Sequence, residues 1–330
     1  MDIVHTPALL EETIQYLGPR SGEELMIDAT LGEGGHSYAF LSRFPGLSVI
    51  GIDADAGILA IARERLKVFG GRVRFYSLWS HDFFANPPGD VGRPDTILID
   101  LGVSVYHYEK SGRGFSFRKD EDLDMRIDPS RGESAAGLIG RLGEKELADI
   151  LYYNAGERYS RRIAGAIVEA RRQGAIRRAS VLASIVGRAV PAGGRRSAFH
   201  PATKTFQALR IAVNGELERL PSLLEDALKN LKAGGRMGII TFHSAEDRIV
   251  KRFFRDKSAL SGSRDDGSDG NRDSISRRDT PICRNRDHRA VRLLTRKAIS
   301  PGEEELRANP PSRSARLRVV EKIYDEECAS

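Results

Sequence analysis

Residues Asp28-Ala29-Thr30-Leu31-Gly32-Glu33-Gly34-Gly35-His36 constrain the fold of this chain more than any other segment, because an apolar strand over Leu25 to Ala29 runs straight into a glycine-dense turn. Such a turn lets the backbone pack closely against a nucleotide-like ligand. A second apolar run, Leu47 to Ile52, closes on Asp53, a strand-end carboxylate placed to accept from the two hydroxyls of a ribose. The segment therefore reads as a binding turn for an adenosine-containing cofactor, with a bare strand-to-helix connection as the bland alternative.

Glycine spacing narrows the cofactor. Counting from Gly32 gives Gly34 and then Ser37, so the third glycine of a pyrophosphate fingerprint is missing. A turn for S-adenosyl-L-methionine has no pyrophosphate to cradle and tolerates that change. S-adenosyl-L-methionine is the cofactor expected here.

Hydrophobic periodicity places this turn in an alternating pattern. Helices are expected over Ala8–Leu17, His36–Phe44 and Gly57–Phe69, and strands over Leu25–Ala29, Ser48–Asp53, Arg72–Ser77 and Thr96–Leu101. Such alternation argues for a parallel sheet covered by helices. The pattern breaks at His107–Asp128, rich in Gly, Arg and Asp with Tyr108, Phe115 and Phe117 interleaved. Helical stripes follow over Gly143–Asn154, Arg158–Arg172 and Ser180–Val190, marked by Ile163, Ile167 and Ala170 and by Leu182, Ile185, Val186 and Ala189. Sheet patterning then resumes: a long helix over Thr203–Leu231 with Pro221 as its break, a strand over Arg236–Phe242, a helix over Ala245–Arg255, and a return pair over Ala290–Arg296 and Ala315–Ile323. Residues 257–289 carry almost no apolar content and are expected to be a mobile loop.

Composition limits the function classes. The 330 residues carry a net charge of +6, but residues 155–200 alone hold a local +8 and residues 251–300 a local +7, so the rest is acidic. Two basic regions on an acidic body suit a protein that grips a phosphate backbone, although solvated helix faces give the same count. Two cysteines, Cys283 and Cys328, exclude a disulfide framework or a cysteine-rich metal site, and no metal is expected. The chain starts without a basic segment leading into an apolar core, and nowhere do 18 apolar residues run together, so a cytoplasmic protein without a membrane partner is expected.

Strand ends carry the candidate chemistry. Asp100 closes an apolar strand and should enter the cleft, where it meets the methionine portion of the cofactor or a substrate amine; capping the next turn is its bland alternative. Trp79 follows the third strand end and offers a cover for adenine or a core position. Beyond these, Asp100-Leu101-Gly102-Val103-Ser104, Arg113-Gly114-Phe115-Ser116-Phe117, Leu123-Asp124-Met125-Arg126-Ile127-Asp128-Pro129, the run His200 to Ile211, Phe242-His243-Ser244-Ala245-Glu246-Asp247-Arg248, and Pro301 to Glu305 stand in order along the chain. Together with Asn309-Pro310 to Ser314-Ala315, these segments resemble the bacterial small-subunit ribosomal RNA cytosine-N4 methyltransferases, from His5 to about Glu321.

The resemblance implies an α/β fold of class I, a Rossmann-like methyltransferase sheet with an inserted small helical domain. The methyltransferase parts would be 1–106 and 203–330, and the substrate-recognition insertion 107–202. It implies methylation of the N4 amine of a decoding-centre cytidine in 16S rRNA, within the small ribosomal subunit. Cofactor contacts are carried over to Gly34, Gly35, His36, Asp53, Trp79, Asp100 and His107. Trp79 replaces the usual phenylalanine, and His107 the usual glutamine, which changes its hydrogen-bonding capacity.

The N4 lone pair of cytosine is delocalised, so transfer needs N4 held in line and an acceptor for its hydrogens. Asp100 is the foremost candidate. The familiar Asp/Asn/Ser-Pro-Pro-aromatic motif of amino-methyltransferases is absent, so the Ser104 hydroxyl or a carbonyl near Gly102 is the alternative. His243 and Ser244 could line the base pocket, His200 and Lys204 reach phosphate, and Arg113, Arg118 and Arg126 with Phe115 and Phe117 offer phosphate contacts and stacking faces. Competing readings are a methyltransferase for another RNA, DNA or a small-molecule amine, and a non-enzymatic RNA-binding protein. The oligomeric state stays open between monomer and homodimer.

Overall fold

The computed structural model describes residues 6–191, 200–258 and 289–324. Its strands are β1 (Glu24–Asp28), β2 (Leu47–Asp53), β3 (Val73–Ser77), β4 (Thr96–Asp100), β5 (Arg236–Thr241), β6 (Val291–Leu293) and β7 (Arg316–Lys322). They form one seven-stranded sheet in the order β3-β2-β1-β4-β5-β7-β6. The first five pair in parallel, and β7 and β6 add antiparallel at the edge. The sheet is therefore doubly wound, with its order reversing between β1 and β4, the place where open parallel sheets bind ligands.

The helices are α1 (Leu10–Leu17), α2 (Gly35–Arg43), α3 (Ala56–Leu66), α4 (Ser80–Ala85), α5 (Val105–Glu109), α6 (Ala135–Arg141), α7 (Glu144–Ala155), α8 (Ser160–Gln173), α9 (Ala179–Ala189), α10 (Thr203–Asn214), α11 (Glu216–Asn230), α12 (Ser244–Ser258) and α13 (Glu303–Ala308). Strand side chains alternate between two apolar layers, as the two-residue period of a strand requires. Ile27, Ile52, Ile97, Ile99 and Ile239 pack with Phe83 and Phe84 of α4, Leu224 of α11 and Phe254 of α12. Met26, Val49, Leu98, Ile240 and Val319 pack on the other face with Leu17 of α1, Phe40 of α2 and Leu59 of α3. Each fully buried side chain of this size adds ~1.5–3 kcal/mol, so both faces hold the sheet.

A third core lies outside these layers. Ile163, Ile167, Leu182, Ile185 and Val186 bury their stripes against Leu147 and Leu151 of α7, and Phe115, Leu123 and Met125 fill the remainder. Phe206 and Leu209 of α10 join this core, so the helix that returns the chain to the sheet also closes the helical insertion.

Three sequence expectations shift. The long helix breaks at Gly215 (φ +60), not at Pro221, which sits inside α11. Glycine alone adopts that left-handed backbone cheaply, and its N–H closes the end of α10. The helices α4, α5, α6 and α13 were not expected, because five to seven residues give too few turns for a periodic signal. Lys257 and Ser258 complete α12, and residues 259–288 of the expected mobile loop lie outside the described residues.

Candidate active site

A cleft opens at the carboxyl ends of β1, β2, β4 and β5. At its β1/β2 side, Gly32 (φ +54) and Gly34 (φ +75) take left-handed backbone that turns the chain into α2. The Gly32 N–H donates to Asp53 Oδ2 at 2.9 Å, and the Asp55 N–H donates to Asp53 Oδ1 at 2.9 Å. Asp53 is thereby fixed at the strand end with its remaining lone pairs free to accept. Burial pushes its pKa up, against the pull of the two backbone N–H groups and of His107.

Beside this carboxylate stand polar atoms without partners. His36 is buried and neither ring nitrogen makes a hydrogen bond; Asp100 Oδ1 is also unpartnered, and Asp100 Oδ2 lies 3.6 Å from His36 Nε2. The Asp100 N–H donates to Thr30 Oγ1 at 2.6 Å, which holds the β4 end against the β1 turn. Asp100 is not a helix cap. Behind them Asp28, only 2% exposed, accepts from Ser37 Oγ at 2.6 Å. Burial raises its pKa to about 6, with Asp100 adding to the effect and Ser37 and His36 opposing it. Buried orphan atoms are costly unless a ligand satisfies them. A fixed ribose-type acceptor beside an unsatisfied imidazole and carboxylate fits the adenosine and amino-acid ends of S-adenosylmethionine.

His107 lines the same cleft and is buried, with Nε2 3.1 Å from Asp55 Oδ2 and Nδ1 unpartnered. Arg113 pairs with the same Asp55 oxygen and donates to the carbonyls of Arg126 and Ile127 at 2.9 and 2.7 Å. Burial pushes the Asp55 pKa up, but the bonds from His107 and Arg113 outweigh it and hold the carboxyl below its ordinary range. The imidazole at 107 thus belongs to a buried acid–base cluster that also caps α3, since Asp55 Oδ1 accepts from Gly57 N at 2.9 Å. Trp79 lines the cleft under the Arg219 guanidinium, 5.1 Å from its ring centre. Ser104 lines it too, but its hydroxyl accepts from Tyr106 N at 3.1 Å and caps α5.

On the opposite wall His243 was expected, but the Arg210–Glu216 pair was not. Arg210, on the buried face of α10, donates to both oxygens of Glu216 at 2.9 and 2.8 Å and to Tyr108 Oη at 3.0 Å. Burial works against its charge, and the adjacent Glu216 carboxylate more than offsets this, so its pKa rises above the ordinary arginine value. Glu246 Oε2 accepts from the N–H groups of Phe242 and His243 at 2.9 and 3.3 Å. His243 Nε2 stands 2.9 Å from Glu246 Oε1, and ligand-type atoms of Glu216, His243 and Glu246 lie within 4.8 Å of one another. Arg210 holds Glu216 in place, and the backbone N–H groups with His243 hold Glu246. An arginine within the apolar stripe of α10 was the sequence signal for a buried acidic partner.

Several expected contacts fall elsewhere. Phe115 is 4% exposed in the helical core and packs on His107, so it offers no stacking face. Phe117 stacks on His200 with centroids 4.5 Å apart. Arg126 pairs bidentately with Asp124, and Lys204 donates to the Gly156 carbonyl at 3.0 Å. These side chains tie the insertion together. Arg118 remains exposed.

The family profile described as the MraW methylase family matches residues 2–323. A ribosomal RNA small subunit methyltransferase H of Treponema denticola is 51% identical over 323 residues, covering 98% of each chain. Proteins with the same description from Treponema pallidum and Borrelia turicatae are 40% and 42% identical, spanning 97% and 98% of this chain and 93% and 99% of their own.

Proposed function

The chain belongs to the MraW methylase family, and from that premise we propose that it is an S-adenosylmethionine-dependent methyltransferase that modifies the N4 amine of a decoding-centre cytidine in 16S rRNA. Identity with the rRNA methyltransferases over nearly the whole chain supports the rRNA substrate; the N4 position and the decoding centre rest on the motif resemblance. The observation that carries the chemistry is the unsatisfied pair His36 and Asp100, set beside the fixed carboxylate of Asp53 in one cleft. When bound there, the cofactor supplies an electrophilic methyl group on a sulfonium. Asp53 would accept from the ribose hydroxyls, His36 and Asp100 would take the polar end of the methionine portion, and Trp79 would cover the adenine. The Gly34–Gly35 turn packs closely on Leu66 and Pro7 beside the cofactor site, and His107 fixes the Asp55 end of that wall.

In the sheet order the acceptor belongs beyond β4, because the cofactor residues occupy the β2, β1 and β4 ends. That leaves the Gly102–Ser104 loop and the residues after β5 to receive the base. We read Asp100 as an orienting carboxylate at this junction, with Ser104 as a cap that shapes the loop. Residues 107–202 are read as the substrate-recognition insertion, and assembled small subunits as the form in which the RNA is met. No helix of the described residues is long and apolar enough to cross a membrane.

The test is transfer of labelled methyl from S-adenosylmethionine to small ribosomal subunits that lack the modification, with naked 16S rRNA alongside. Label in the 16S rRNA of the subunits supports the reading. Tight cofactor binding without label in either RNA refutes the substrate.

A further inference from the structure

Glu216 and Glu246 sit on a part of the cleft wall that the cofactor reading leaves unused. Asp100 pairs in register with Ile240, and Leu101 N donates to the Ile240 carbonyl at 2.9 Å, so the end of β4 and the start of the β5 loop are neighbours. The next residues out of β5 are Phe242 and His243, whose N–H groups fix Glu246 Oε2, while His243 Nε2 stands 2.9 Å from Oε1. Glu216 arrives from the other side as the first residue of α11, turned inward by Gly215 and held by Arg210. The same cleft contains the buried His36, whose ring nitrogens make no hydrogen bond, and the unpartnered Asp100 Oδ1 next to it.

We propose that Glu216 and Glu246 form the specificity element of the base pocket, accepting the two N4 hydrogens of the target cytosine and rejecting uracil. This rests on the cytidine reading above. The chemistry is complementary: the cytosine 4-amino group offers two donors, whereas uracil presents a carbonyl oxygen at the same place. Two carboxylates facing that oxygen leave acceptors opposed to an acceptor, which a closed site cannot relieve with water. Arg210 orients Glu216 without neutralising its outward lone pairs, since a carboxylate has about four acceptor sites. An ion pair kept only to join α10 to α11 is replaceable by apolar side chains at little cost in stability. Its position on the cleft wall gives it a second task.

The experiment compares small subunits carrying cytidine or uridine at the position the wild-type protein labels. Binding is measured with S-adenosylhomocysteine present, for wild type, Glu216→Gln and Glu246→Gln. Glutamine keeps a carbonyl for Arg210 or for the β5 backbone N–H groups and removes the charge. The expected result is a cytidine preference of about tenfold or more in the wild type, the scale of one good base-edge contact, falling toward unity in each variant with cofactor affinity unchanged. If Glu216→Gln does not fold, Arg210→Met/Glu216→Met removes the pair without orphaning a charge, and the same loss of preference is expected. A wild-type protein that labels cytidine but shows no cytidine preference, or variants that retain it, overturns the assignment while leaving the methyltransferase reading intact. A wild-type protein that labels no cytidine overturns both.

Discussion

Replacing Asp28 with asparagine tests the electrostatics beneath the cofactor turn. Asp28 is 2% exposed, and its pKa stands at about 6 against an ordinary 3.8. A carboxyl raised in this way binds more protons folded than unfolded between those values, so its contribution to stability falls as pH rises through that window. The displacement corresponds to ~3 kcal/mol of cost above the window and ~1 kcal/mol near pH ~4.5. The asparagine side chain has no charge to bury, and Ser37 can reverse its hydroxyl to accept from the amide. In Asp28→Asn the stability relative to wild type should therefore improve by ~2 kcal/mol on going from pH ~4.5 to pH ~7. Urea unfolding of both ligand-free proteins at the two pH values measures it. A difference that stays constant with pH would refute the buried, charge-strained Asp28 described above.

Three further outcomes follow from the geometry. Asp100→Ala removes the carboxylate at the β4 end, and methyl transfer to small subunits should fall by about a hundredfold or more; near-normal turnover would take Asp100 out of the mechanism. Gly34→Ala forces a side chain onto φ +75 with its Cβ 3.0 Å from Leu66 Cδ1, so it should cost at least ~1–2 kcal/mol in urea unfolding and weaken cofactor binding by calorimetry. Arg158, Arg161 and Arg162 are exposed at the start of α8, and replacing them with serine should lower the salt slope of RNA binding by ~0.7–0.9 for each phosphate no longer neutralised. An unchanged slope in filter binding would make that face a solvated surface only.

What was legible in the sequence was local. The β1 strand, its glycine turn, and the carboxylates at the ends of β2 and β4 are each written in a few consecutive residues, and the structure places Gly35, His36, Asp53 and Asp100 around one cleft. What was hidden depends on residues far apart in the chain. Nothing in the sequence around Asp55 shows that His107 and Arg113, 52 and 58 positions away, make it the anchor of a buried cluster. Arg113 and Phe115 looked like an RNA-binding stretch for the same reason: nothing in the spacing shows that one is spoken for by Asp55 and the other lies in the helical core. The Arg210–Glu216 pair spans six positions, but only the left-handed turn at Gly215 brings the two together across a helix end. Pro221 was the louder breaker in the sequence, and the quieter glycine won because it alone reverses the backbone hand.

The atom of the base that carries the methyl group identifies the reaction. Small subunits labelled by the wild-type protein, digested to nucleosides and separated by mass spectrometry, should yield N4-methylcytidine. Among the described residues there is no cysteine to form the covalent adduct that ring-carbon methylation of cytosine uses. Label recovered as 5-methylcytidine, or on any base other than cytosine, would contradict the acceptor site assigned at the ends of β4 and β5.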